Sequence, residues 1–72
     1  MMNRLQARNF VKEIFNGLEQ SVLKKDDAAV KTKSSEFKSA IREYRDIIGA
    51  KEVSTHMKSY VNLLTRGGYV PK

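Results

Sequence analysis

Cysteine and tryptophan are absent from this 72-residue chain, and histidine and proline occur once each. Without cysteine there is neither a disulfide framework nor a thiolate metal site. The one histidine, His56, has no second imidazole to complete a zinc site and no partner ordering that would make a catalytic triad. It falls off the apolar stripe of its helix and reads as solvent-facing. Glu13, Glu19, Glu36, Glu43 and Glu52 are scattered among basic neighbours and read as solvated surface. Gly67-Gly68 has no strand before it and no helix after it, as a phosphate-binding loop would require. Neither enzyme activity nor a cofactor is expected. The apolar runs fall far short of the roughly 18 residues of a membrane span, and the polar N-terminus does not resemble a secretory signal, so a soluble intracellular protein is expected.

What is present is a short, basic, strongly patterned chain. A domain of this size buries only about 60% of its unfolded surface and is marginal alone, so self-association is the cheapest remaining source of stability. The net charge is +6. From Met1 to Lys25, five basic residues face Glu13 and Glu19, while from Asp26 to Ile48 five basic and five acidic residues balance. From Gly49 onward Lys51, Lys58, Arg66 and Lys72 face only Glu52. Both ends are therefore basic and the middle is neutral, which suits nucleic acid, anionic lipid or an acidic protein face.

The spacing predicts three helices. Asn3 with Gln6 makes a loose capping box, and Ala7, Phe10, Val11, Ile14, Phe15, Leu18 and Val22 recur with helical period, which predicts a first helix over about 3–24. Lys24-Lys25 followed by Asp26-Asp27 marks a turn, because cations favour the carbonyl end of one helix and carboxylates the amide end of the next. A second helix over about 28–48 carries the seam Val30, Ser34, Phe37, Ile41, Tyr44, Ile48, spaced alternately four and three. Its Lys31–Ser35 stretch is poor in apolar residues, so a frayed segment with the helix starting near Ser34 or Ser35 is the alternative. Gly49 stands where a left-handed C-terminal cap belongs. Val53, Met57, Tyr60, Val61 and Leu64 then predict an amphipathic helix over about 51–65, followed by a short flexible tail with Gly67 and Gly68 as hinges.

The fold class is all-α, built on a helical hairpin. Two helices cannot cover each other's stripes fully. Either the third helix folds over the hairpin, or two hairpins pair as a four-helix homodimer. We expect the dimer, with residues 1–48 as the dimerisation region and Phe10, Ile14, Phe37, Ile41, Tyr44 and Ile48 at its interface. Residues 49–72 then form a separate partner-binding helix and tail, joined through a hinge at Gly49. A fragment ending at Gly49 should on this view still fold.

The C-terminal stretch Ser59-Tyr60-Val61-Asn62-Leu63-Leu64-Thr65-Arg66-Gly67-Gly68-Tyr69-Val70-Pro71-Lys72, behind a helical hairpin in a chain of this length, resembles the capsid morphogenesis B proteins of staphylococcal pathogenicity islands. These are internal scaffolding proteins of phage satellites that redirect a helper phage's capsid to a smaller size. The resemblance covers the whole chain and rests on its general character. It implies a dimeric helical body, cytoplasmic in the bacterial host and transiently inside the procapsid, with a C-terminal segment that grips the major capsid protein. Carried onto this sequence, the gripping residues are Tyr60, Leu63, Leu64, Arg66, Tyr69 and Lys72. The competing expectation is a small basic nucleic-acid-binding regulator, for which Arg4, Arg8 and Lys12 lie four residues apart on one side of the first helix.

Overall fold

Capping chemistry divides the chain much as the sequence predicts. The computed structural model describes residues 3–69, which form α1 (Arg4–Leu23), α2 (Asp27–Glu43), a single-turn α3 (Arg45–Ile48) and α4 (Ala50–Arg66). α1 opens on a complete capping box: the Gln6 amide donates to Asn3 Oδ1 at 2.8 Å, and the Asn3 amide donates to Gln6 Oε1 at 3.0 Å. Two orphan donors of the first turn are thereby satisfied. α1 closes with a Schellman motif, in which the Asp26 amide reaches the Ser21 carbonyl and the Lys25 amide the Val22 carbonyl, both at 3.1 Å. This closure holds Lys25 at φ +55°, a left-handed conformation unusual for a residue with a side chain. Asp26 Oδ1 then accepts the Ala29 amide at 3.2 Å and starts α2, so α1 and α2 form an antiparallel hairpin.

α2 begins at Asp27 despite the polar Lys31–Ser35 stretch, so the longer of the two expected starts is observed. It does not run unbroken to Ile48. Tyr44 adopts φ −100° and ψ 10°, and the helix bends there before resuming as α3. The Tyr44 amide still reaches the Ala40 carbonyl at 2.9 Å and the Ile48 amide the Tyr44 carbonyl at 2.9 Å, so this is a bend rather than an end. Beyond it Ile48 is 1% exposed, inside the core. Gly49 then reverses the chain at φ +100° and ψ 144°. That is an extended positive-φ conformation reserved for glycine, and not the expected left-handed helix cap.

The separate C-terminal helix is where the structure corrects the sequence reading. α4 lies against the hairpin, and its Tyr60 and Leu64 belong to the same core cluster as Leu18, Phe37 and Ile48. The division into 1–48 and 49–72 therefore does not describe how the core is built. Val53 and Met57 pack on the cluster from the same face of α4, whereas Val61 points outward. The physical reason is the large apolar surface the hairpin leaves uncovered around Phe37, for which α4 supplies the cover. Of the two arrangements open to the sequence, the third helix over the hairpin is the one observed.

Two outcomes follow from this packing. Ending the chain at Gly49 exposes Phe37, Ile41 and Ile48, each worth about 1.5–3 kcal/mol when buried, so the fragment is expected to lose most of its helical circular dichroism. A fragment as helical per residue as the whole chain would contradict the shared core. Lys25→Gly removes the left-handed penalty and is expected to stabilise by about 1 kcal/mol, raising the melting temperature by about 4–8 °C. An unchanged melting curve would show that the Schellman geometry carries no strain.

Candidate partner-binding surface

The residues expected to grip a partner divide into core and surface. Tyr60 and Leu64 are 5% and 6% exposed. Tyr60 stacks on Phe37 at 5.1 Å between ring centroids with an interplanar angle of 12°, and the Lys38 ammonium lies 5.7 Å from its ring centre. Neither residue is a free anchor, because a side chain already filling the core has no face left for a partner. Leu63 is half-buried and Arg66 is exposed in the last turn of α4. Tyr69 is half-buried, and Lys72 lies outside the described residues.

The residues expected at a dimer interface divide in the same way. Phe37, Ile41 and Ile48 are 0%, 5% and 1% exposed and are covered by their own chain. Ile14 and Tyr44 are half-buried, and Phe10 remains exposed with its ring edge-on to Tyr44 at 5.6 Å. Only Phe10, Ile14 and Tyr44 reach the surface.

The glycine pair is not a hinge. A Cβ on Gly67 would stand 2.6 Å from Val22 Cγ1, so the residue is glycine because the end of α4 presses against the end of α1. A second Schellman motif follows, with the Tyr69 amide on the Leu64 carbonyl at 2.8 Å, the Gly68 amide on the Thr65 carbonyl at 3.1 Å, and Gly68 at φ +81°. Turned back in this way, the Tyr69 hydroxyl donates to Asp27 Oδ1 at 2.7 Å. The chain is thus tied to the first turn of α2 at a residue expected to be flexible.

These contacts gather a surface that no single segment contains. Val22 and Leu23 from α1 and Leu63 and Gly67 from the end of α4 line an open groove rimmed by Glu19, Lys25 and Arg66. Leu23 is 75% exposed, the most exposed large apolar side chain among the described residues. The sequence reading missed it because it stands beside the stripe rather than on it. The available signal was that displacement itself: an apolar residue off its helix's buried face, directly before Lys24-Lys25.

At the other end of the bundle Glu52, expected on the solvated surface, collects charge from two helices. Arg8 Nε lies 3.0 Å from Glu52 Oε2 and Arg4 Nη2 3.9 Å from Oε1. His56 Nε2 is 3.7 Å from Oε2 and its side chain is 22% exposed, so His56 is tucked into the α1–α4 seam and not solvent-facing. Among the described residues no cluster of metal-ligating side chains occurs, and no helix is long and apolar enough to cross a membrane.

The Tyr69 phenol has a shifted acidity. Its hydrogen bond to the Asp27 carboxylate, followed by burial and by the charges of Asp27 and Asp26, raises the phenol above its usual 10.0. A raised folded-state value means that the contact contributes fully below the unfolded value and is lost as pH rises through the folded one. Tyr69→Phe is therefore expected to destabilise at pH 8, and the difference from wild type should vanish in strong alkali. Denaturant titrations of both proteins at the two pH values check this, and a gap that persists undiminished would contradict the hydrogen bond. Compared with family models, curated proteins and solved structures, the chain matches none.

Proposed function

We propose that this protein is an internal scaffolding and assembly factor that binds a phage major capsid protein and redirects assembly to a smaller capsid. The observation that carries the reading is the groove at the α1–α4 end. Its solvent-exposed Leu23 stands beside half-buried Leu63, with Lys25 and Arg66 at the rim. An apolar anchor in a rim of two cations and one carboxylate, Glu19, suits a partner segment that presents an apolar residue beside a carboxylate. Homodimers, cytoplasmic in the bacterial host, would enter the procapsid and present one such groove from each copy. A contact built from a few exposed side chains is weak enough to be released once the shell is complete.

The resemblance supplies the identity of the partner, and the groove supplies the chemistry of contact. Relative to the expected anchor, the binding residues move: Leu23 joins Leu63, Arg66 and Tyr69, while Tyr60 and Leu64 support the site from beneath. Leu64→Ala is then a core truncation costing about 2–5 kcal/mol of stability, and is a poor probe of binding.

Leu23→Ala is the sharper variant, because a side chain so exposed contributes little to the fold. It is expected to weaken capsid-protein binding by about 1–3 kcal/mol with an unchanged melting curve, whereas Arg66→Ala should cost under about 1 kcal/mol and less at high salt. Co-expression with the capsid protein, reading particle diameter by electron microscopy, is expected to show small shells with wild type and full-size shells with Leu23→Asp. Small shells from Leu23→Asp would refute this groove as the contact. Tight duplex binding that survives Leu23→Asp and collapses in Lys25→Ala/Arg66→Ala would favour the nucleic-acid reading instead.

A further inference from the structure

α2 is covered by α1 on one flank and α4 on the other, which leaves its third face open between two grooves. The groove towards α1 has Phe10, Ile14 and Ala40 in its lining and carries Glu36 and Glu43, with Lys31 at its edge towards the open face. The groove towards α4 has Val53 and Met57 in its lining and carries Lys38, Arg42 and Arg45. All six of these charged residues are exposed. Two apolar-floored grooves of opposite net charge thus flank one helix face of a single chain.

We propose that this face binds a second copy of the same chain, with the two α2 helices parallel about a two-fold axis along their length. The proposal deepens the assembly reading above by naming the surface that joins its two copies. Rotation about such an axis brings the α1-side flank of one copy against the α4-side flank of the other, so the acidic groove meets the basic groove twice. An antiparallel pair would instead set like flank against like.

The sequence spacing agrees with the grooves. Parallel helix pairs match a flanking residue with the opposite flank of the partner five positions later. Lys31 meets Glu36 in this register and Lys38 meets Glu43, each pair occurring twice across the axis. Thr32, Ser35 and Ser39 lie between the flanks and are exposed and small, so the backbones can approach. A different acidic or basic protein would satisfy one groove and leave the other open, whereas a second copy satisfies both. Arg42 is the opposed element: on the ridge itself it faces its own copy across the axis.

Charge exchange tests the proposal. Sedimentation of the wild type is expected to show a dimer at micromolar concentration. The acidic variant Lys31→Glu/Lys38→Glu and the basic variant Glu36→Lys/Glu43→Lys should each weaken it by roughly tenfold or more, and an equimolar mixture should form a heterodimer. Arg42→Ser should tighten the wild-type dimer. Because the chain contains no cysteine, Ser35→Cys should form a covalent dimer under mild oxidation, whereas Ser59→Cys on α4 should not; this measurement stands if a charge variant unfolds. A monomeric wild type, full dimerisation of either charge variant, or failure of Ser35→Cys to cross-link overturns this face. A monomer that still narrows capsids would leave the assembly reading standing, while a dimer through this face with no effect on capsids would do the reverse.

Discussion

Phe37 is the residue through which the three long helices meet. Carried on α2 and fully buried, it has Phe15 of α1 at 5.6 Å with the rings tilted by 54°, and Tyr60 of α4 stacked at 5.1 Å. Aromatic pairs at these separations add about 0.5–1.5 kcal/mol each beyond the area they bury. In a chain this short such a cluster is a large share of the total stability, which for domains generally is only about 5–15 kcal/mol. The position of α4 follows from it. A hairpin without α4 would leave one face of Phe37 in water, together with Ile41 and Ile48 beside it.

That constraint explains which features were legible in the sequence. The Asn3–Gln6 box, the Asp26 cap and the turn at Lys24-Lys25 depend on residues within a few positions of each other, and they appear where the spacing put them. The buried seam of α2 was legible too: Val30, Phe37, Ile41 and Ile48 are all in the core. Its partner was not, because a helical stripe specifies that a face is covered and not by which helix. The same stripe fits a second hairpin or the chain's own α4. The bend at Tyr44 has no local signal such as proline or glycine. Glu52 was misread for a related reason, since Arg4 and Arg8 are distant in sequence and become neighbours only when α4 folds back.

The bundle end beside the hairpin turn has a different logic. α1 and α4 both finish there, each in a Schellman motif, one with Lys25 in the left-handed position and the other with Gly68. Such closures turn the chain sharply and expose whatever precedes and follows them. Leu23 and Arg66 are both displayed in this way, and Gly67 lets the two ends approach until its backbone rests on Val22. The hydrogen bond from Tyr69 to Asp27 then fixes the second ending to the start of α2. A surface assembled from three helix ends is preorganised, which reduces the ordering cost a partner must overcome on binding. It is also a surface that residues 49–72 alone do not possess.

The same folding redistributes the basic charge. Arg4 and Arg8 lie at the start of α1, against Glu52, so much of the N-terminal positive field is answered by a carboxylate from α4. Lys24, Lys25 and Arg66 stand at the opposite end, since a helix of 20 residues spans about 30 Å. That separation is about three Debye lengths at ordinary ionic strength, so the two ends do not add into one field. A duplex reader gains affinity from cations that track a continuous backbone. Around the exposed Leu23 the groove sets Lys25 and Arg66 beside Glu19, and a compact apolar site with so mixed a rim offers phosphates no continuous line of cations.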